Sequence, residues 1–300
     1  MNSGHSFYIP VMGTGFTLDT PLYVARYGIS SVISLVDDVL IERLRLYHSS
    51  LNNEHYEAIP ETHNDCRAKR ITEYLNLLQR LVNKQVDALI NSKFESDSEI
   101  TRYFSLLPPT QVKKMYQEML NTTDFIAKSS MESVLREQVC AGSIDVNIMT
   151  KLDCPHYYNG KRLPAEYNDA MSALRGYANS TLNSSVVFSA GLNQQLYSYA
   201  STFPDFLPNR FGGINKKIIL KVSDYRSAAI QGKFLAKHGL WVSEYRIESG
   251  LNCGGHAFPC NGKLLGPILD EILHNKDTLI EKLWQYCIDA WGARKNKCPI

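Results

Sequence analysis

An α/β fold of the (β/α)-barrel-like kind, apparently incomplete and carrying a helical insertion, is what this sequence predicts, and three observations predict it. Short β-branched runs alternate with helix-period text along most of the chain. The ends of five of these runs are polar and glycine-rich. The one long departure, residues 52–140, is charged and helical throughout. Together these describe about six βα units in one domain over residues 1–300, with residues 52–140 inserted within it.

The first run, Phe7 to Met12, passes through Gly13, Thr14 and Gly15 into a helix starting near Pro21. Thr20 reads as an N-cap followed by proline at the first helical position, where a missing N–H loses no hydrogen bond. Gly28 closes that helix, because a left-handed residue is least strained without a Cβ. Ser31 to Leu35 follows as the second strand, and strand, helix and strand in this order imply parallel pairing. Asp37 and Asp38 then set negative charge at the positive end of the helix VLIERLRLYH.

From about Asn52 to Glu137 the text is long, charged and helical. Leu75, Leu78, Leu81, Val82, Val86 and Leu89 recur at helical spacing and predict a core-facing stripe. Pro108 and Pro109 divide the insertion into two halves. Beyond it, Ser143 to Met149 resumes the strand pattern, followed by a helix through Tyr167 to Ala178. Ser185 to Ser189 is the next strand and ends at Gly191. Lys217 to Val222 precedes a helix over Arg226 to His238, and Trp241 to Ile247 is the last clear strand. A closed barrel needs eight strands. The expectation is therefore that the chain is the front part of a longer protein or a shortened form.

Composition removes some functions. The formal net charge of +2 and the lack of a basic block interleaved with aromatics argue against nucleic-acid binding. No run of about 18 apolar residues predicts a membrane span. Seven cysteines without a paired C-x-x-C arrangement suggest reduced thiols and a cytoplasmic address. Cys253 and His256 have C-x-x-H spacing but no second ligand pair nearby, so no metal site is expected.

In a (β/α) barrel the chemistry lies at the C-terminal ends of the strands. Here those ends carry Met12, Gly13 and Thr14, then Asn147 and Lys151, then Ser189 and Gly191, then Lys221 and Ser223, and finally Glu248, Gly254, Gly255 and His256. Glycines let backbone N–H groups approach a planar ring or a phosphate. A lysine such as Lys221 or Lys151 could stabilise negative charge on a reduced flavin. A loop histidine titrating near neutrality suits removal of an acidic C–H proton. The MGTGFT turn lacks the third glycine and the later acidic residue of a dinucleotide fingerprint.

The stretch KVSDYRSAAIQGKFLAKHGLWVSEYRIESGLNCGGHAFPCNGKLLGPILDEI resembles two successive βα units of the nitronate monooxygenase (2-nitropropane dioxygenase-like) family. The Gly254-Gly255-His256 turn is the most specific element, and PVMGTGF resembles the family's first turn against the flavin. The resemblance implies a TIM-barrel FMN enzyme. In it His256 is the catalytic base, Gly254 and Gly255 contact the flavin or its phosphate, and Met12 and Gly13 contact its ring. Thr14, Asn147, Lys221 and Glu248 join the FMN contacts from their places after strands. The substrate is a small molecule, and a homo-oligomer or a missing C-terminal half completes the site. Glu248 stands where the family more usually has an amide. Asn252 and Cys253 depart from the family's Glu-Ala. A glutamate-synthase-like or enoyl-reductase-like FMN barrel, or a non-catalytic flavin-binding or assembly remnant, stays open.

Overall fold

The computed structural model describes residues 4–11, 17–35, 37–151, 153–189, 191–248 and 265–294. The chain gathers into two compact units, Met1–Ile59 with Thr72–Asp145, and Pro60–Ile71 with Val146–Ile300.

The first unit opens with β1 (Tyr8–Ile9), α1 (Pro21–Val24) and β2 (Ser30–Ser34). β1 is shorter than the sequence suggests, and Pro10 gives the reason: it has no N–H to extend the ladder. β1 and β2 are parallel, with Tyr8 opposite Ser30 and Ile9 opposite Ser31. Thr20 does not cap α1. Its own angles are helical (φ −46°, ψ −39°) and its side chain makes no cap bond, so the pre-set φ of Pro21 opens the helix instead. Gly28 is left-handed at φ 75°, as expected. Asp37 caps α2 (Asp38–Leu51), accepting from Val39 and Leu40 N–H at 3.0 Å each.

The insertion is four helices: α3 (Cys66–Asn91), α4 (Glu99–Leu106), α5 (Gln111–Asn121) and α6 (Phe125–Glu137). The first residues of α3 belong to the second unit. Leu75, Leu78, Leu81, Val82 and Leu89 are buried along α3, while Val86 is partly exposed. Pro108 and Pro109 separate α4 from α5, and two further breaks carry their own caps, Ser98 before α4 and Asp124 before α6. Tyr103, Phe104, Tyr116 and Met119 close a small core beneath them. The chain leaves this core at Gly142, where a Cβ would stand 2.0 Å from the Ile29 carbonyl oxygen. Only glycine permits that approach.

β3 (Ile144–Met149) begins in the first unit and continues into the second. The second unit then adds β4 (Tyr157–Tyr158), β5 (Lys161–Arg162), α7 (Asp169–Ala178), β6 (Ser185–Ser189), α8 (Gln194–Ala200), β7 (Lys217–Val222), α9 (Tyr225–Lys237), β8 (Val242–Ile247) and α10 (Leu265–Ala293). β4 and β5 form a separate antiparallel hairpin that the sequence reading did not anticipate. The other six strands form one sheet in the order β1-β2-β3-β6-β7-β8. Sequence order is kept throughout, with none of the reversal of a doubly wound sheet. The fold is thus α/β with a six-stranded parallel sheet, and no helix of the described residues is long and apolar enough to cross a membrane.

Candidate functional site

Cα partners in a ladder share a face of the sheet, and successive residues alternate between faces. In the second unit one such row is Ile148, Phe188, Leu220 and Tyr245, all apolar or aromatic. Helices cover it: the Phe188 ring lies 5.0 Å from Tyr197 of α8, and the Tyr245 hydroxyl lies against Gly232 of α9, which Leu283 of α10 also approaches. Burial pushes the Tyr245 hydroxyl pKa well up.

The face turned away from these helices is different. One row holds Asn147, Val187, Ile219 and Glu244, and the next, toward the strand ends, holds Met149 with Ser189 and Lys221 with Arg246. A register shift at Ile218 and Ile219, where Ser243 is the extra residue on β8, sets Glu244 and Arg246 on this face. A closed barrel fills such rows with branched apolar side chains. Here Val187, Ile219 and Met149 keep to that pattern, and an amide, a hydroxyl and charges stand among them.

Two ion pairs organise the charges. Lys221 Nζ lies 2.7 Å from Glu248 Oε1, with side chains 29% and 40% exposed. Arg246 Nε donates to Glu244 Oε1 at 2.6 Å, and the arginine side chain is only 10% exposed. Glu248 is fixed from its backbone as well, its N–H donating to the Val222 carbonyl at 2.9 Å. Asn147 is buried within β3. The described part of the sequence-predicted set therefore shares the strand-end side of one sheet face, with Lys221 and Glu248 in direct contact. Met12, Gly13, Thr14, Gly254, Gly255 and His256 lie outside the described residues.

The ends of β3 and β6 are laced together beside this face. Thr150 Oγ1 donates to the Ser189 carbonyl at 2.8 Å and the Gly191 carbonyl at 2.5 Å, and Asn193 Nδ2 donates to the Thr150 carbonyl at 2.9 Å. Gly191 sits at φ 101°, and a Cβ there would stand 3.2 Å from Cε of Lys151. The Ser189 hydroxyl turns back to the Ile148 carbonyl at 3.5 Å.

Glu244 and Arg246 were missed by sequence reasoning. The signal was present, since VSEYRIE places Glu244, Arg246 and Glu248 at the strand period of two. An open groove of about 520 Å³ lies elsewhere, among Met171 of α7, Gln194 to Thr202 around α8, and Phe234 of α9; none of the strand-end residues lines it. Lys216, whose ammonium is pushed down to about 8 by burial, sits at the opposite, N-terminal end of β7 and donates to the Ser180 and Leu182 carbonyls. That position reads as stability rather than chemistry. Among the described residues no group of three or more His, Cys, Asp and Glu could hold a metal ion.

Comparison with protein-family models, with curated proteins and with solved structures finds no match to this chain.

Proposed function

We propose that the chain is an FMN-dependent oxidoreductase of the (β/α)-barrel kind, similar in action to nitronate monooxygenases. The observation that carries the reading is the polar group at the strand ends of one sheet face: Asn147, Ser189, Lys221 and Glu248 stand on the side where barrel chemistry lies. This donor set fits a flavin. An amide and an ammonium suit the carbonyl and ring-nitrogen edge of an isoalloxazine, and Gly191 brings backbone near the face with no side chain in the way.

Bound there, the flavin would supply an acceptor for the electrons of a substrate carbanion. The chain's own residues have simpler tasks. Lys221 holds positive charge beside the ring edge, and Glu248 keeps that ammonium in place. His256 removes the acidic proton from the substrate carbon. A small-molecule substrate, a cytoplasmic address and completion of the site by a second copy or a further segment belong to the same reading.

Purified full chain is expected to show flavin absorbance or to bind added FMN saturably. His256→Ala is expected to abolish turnover while FMN stays bound. A colourless protein that fails to take up FMN would sink the proposal. Nitronates, NAD(P)H and enoyl thioesters offered as substrates separate the three reaction subclasses.

A further inference from the structure

The groove between α7, α8 and α9 lies in the helix layer of the second unit, and the flavin reading leaves it unused. Its volume of about 520 Å³ is that of a small-molecule site. Met171 and Phe234 give it apolar wall, and Gln194, Gln195, Ser198 and Tyr199 bring polar groups to it along α8. Ser198 is the informative member.

A serine inside a helix commonly turns its hydroxyl back on a carbonyl of the preceding turn, as Ser133 does to Ser129 at 3.1 Å. Ser198 instead reaches the end of α9, where its Oγ lies 3.2 Å from Nε2 of His238. The other ring nitrogen, Nδ1, lies 2.8 Å from the Phe234 carbonyl. A carbonyl can only accept, so Nδ1 carries the proton and the neutral ring presents Nε2 as an acceptor for the serine O–H. The helix end explains the arrangement. The backbone N–H of His238 bonds to the Leu235 carbonyl at 2.9 Å, one residue short of its α-helical partner, and leaves the Phe234 carbonyl to the imidazole.

Two further contacts hold the ring. It stacks on Phe234, with centroids 4.6 Å and planes 28° apart, and Phe234 itself walls the groove. Arg294 ties the ends of the two helices together, donating to the Ser201 carbonyl at 3.3 Å and to the His238 carbonyl at 3.1 Å. Ser198 and His238 are both half-buried. Hydroxyl, imidazole and orienting acceptor thus follow one another within hydrogen-bond reach, and the hydroxyl lines an open groove. That is the geometry in which a serine is activated as a nucleophile.

We propose that Ser198 and His238 form an acyl-transfer centre that hydrolyses small esters with an apolar acyl group. Ser198 Oγ attacks the ester carbonyl carbon while its proton passes to His238 Nε2; the bond to the alcohol oxygen breaks, and the alcohol leaves with that proton. Water then attacks the acyl-serine and gives a proton to the same nitrogen. The acid is released as that proton returns to Oγ. The Phe234 carbonyl fixes the tautomer, the task a carboxylate performs in a triad. The side-chain amides of Gln194 and Gln195 are the donors the groove offers to the oxyanion, and Met171 and Phe234 receive the acyl chain. The inference goes beyond the flavin reading and does not depend on it.

The test uses the full chain, with p-nitrophenyl butyrate as substrate and a fluorophosphonate as covalent trap. Hydrolysis is expected to exceed the rate in buffer and to saturate with ester, and peptide mass spectrometry is expected to place the trapped adduct on Ser198. Ser198→Ala and His238→Ala should each lower kcat/KM about a hundredfold or more, and the double variant no further, because the two groups act as one unit. Thermal midpoints report whether the variants fold; if one does not, the adduct position on the wild-type chain decides. Hydrolysis no faster than in buffer, an adduct on another residue, or a folded Ser198→Ala with full activity overturns the proposal and leaves the Ser198–His238 bond as helix packing. FMN content measured on the same samples keeps the two proposals apart: ester hydrolysis by flavin-free protein counts against the flavin reading alone.

Discussion

Lys221 and Glu248 meet at 2.7 Å across the ends of neighbouring strands, both half-exposed, on the face that also carries Asn147. A pair this open to water contributes little stability, below about 1 kcal/mol. Its expected role is to aim the ammonium. Lys221→Met should therefore leave the thermal midpoint nearly unchanged while weakening FMN binding roughly tenfold, the scale of a lost charge-assisted hydrogen bond. Flavin titration and a melting curve on the same sample check both halves. A large fall in the midpoint with flavin affinity intact would make the pair structural.

Lys216 offers a test by pH. Burial lowers its folded pKa from 10.5 to about 8, so between those values the unfolded chain holds a proton that the folded one has released. Unfolded chain binding more protons means that stability rises with pH. Below about pH 8 the ammonium is buried at full penalty, and above about 10.5 the gain is complete. Urea denaturation of wild type and Lys216→Met at pH 7 and 10 should show wild type gaining on the variant by up to about 3 kcal/mol. Comparing the two proteins at each pH cancels the other groups that titrate in this range.

Gly142 is expected to tolerate nothing larger. Gly142→Ala would drive a Cβ to 2.0 Å from backbone atoms of Ile29, and backbone has no rotamer by which to withdraw. A loss of about 2–3 kcal/mol, the upper range of overpacking costs, is expected in urea denaturation. Gly266, whose Cβ would meet nothing within 4 Å, serves as the control.

Tyr197 and Gln231 test the helix layer of the second unit. The hydroxyl donates to Gln231 Oε1 at 2.7 Å between α8 and α9, and both residues are buried. Tyr197→Phe strands the glutamine oxygen, at a cost of about 1–3 kcal/mol. Adding Gln231→Leu should recover part of it, because the stranded glutamine oxygen is then gone. A double variant no better than the single would show that the ring packing, not the hydrogen bond, was disturbed.

The sheet was legible because buried parallel strands are written as β-branched runs: KIILKV is β7 with its bounds unchanged. The leucine stripe of α3 was equally plain. What escaped was local. Asn159-Gly160 marks a tight turn on sight, yet its strands are too short to leave a periodic pattern. The split between α5 and α6 rests on one capping residue, Asp124, in otherwise helical text. Thr20 looked like a cap, but side-chain identity does not fix backbone angles, and the residue is already helical. For the site, Lys221 and Glu248 could each be named from their place after a strand. Their contact depends on the register of β7 and β8, including the shift that turns Glu244 and Arg246 to the same face, and register is decided by tertiary packing.

The braced hairpin between β3 and α7 has a consequence for engineering. Its fastenings run through His156, Leu163, Asp153 and Asp169, all outside residues 157–162. Those six residues form an exchangeable cassette whose anchor stays behind when the contents are swapped. A library of recognition loops grafted between His156 and Leu163 would inherit a fixed, outward-facing mount without redesign of the parallel strands on either side.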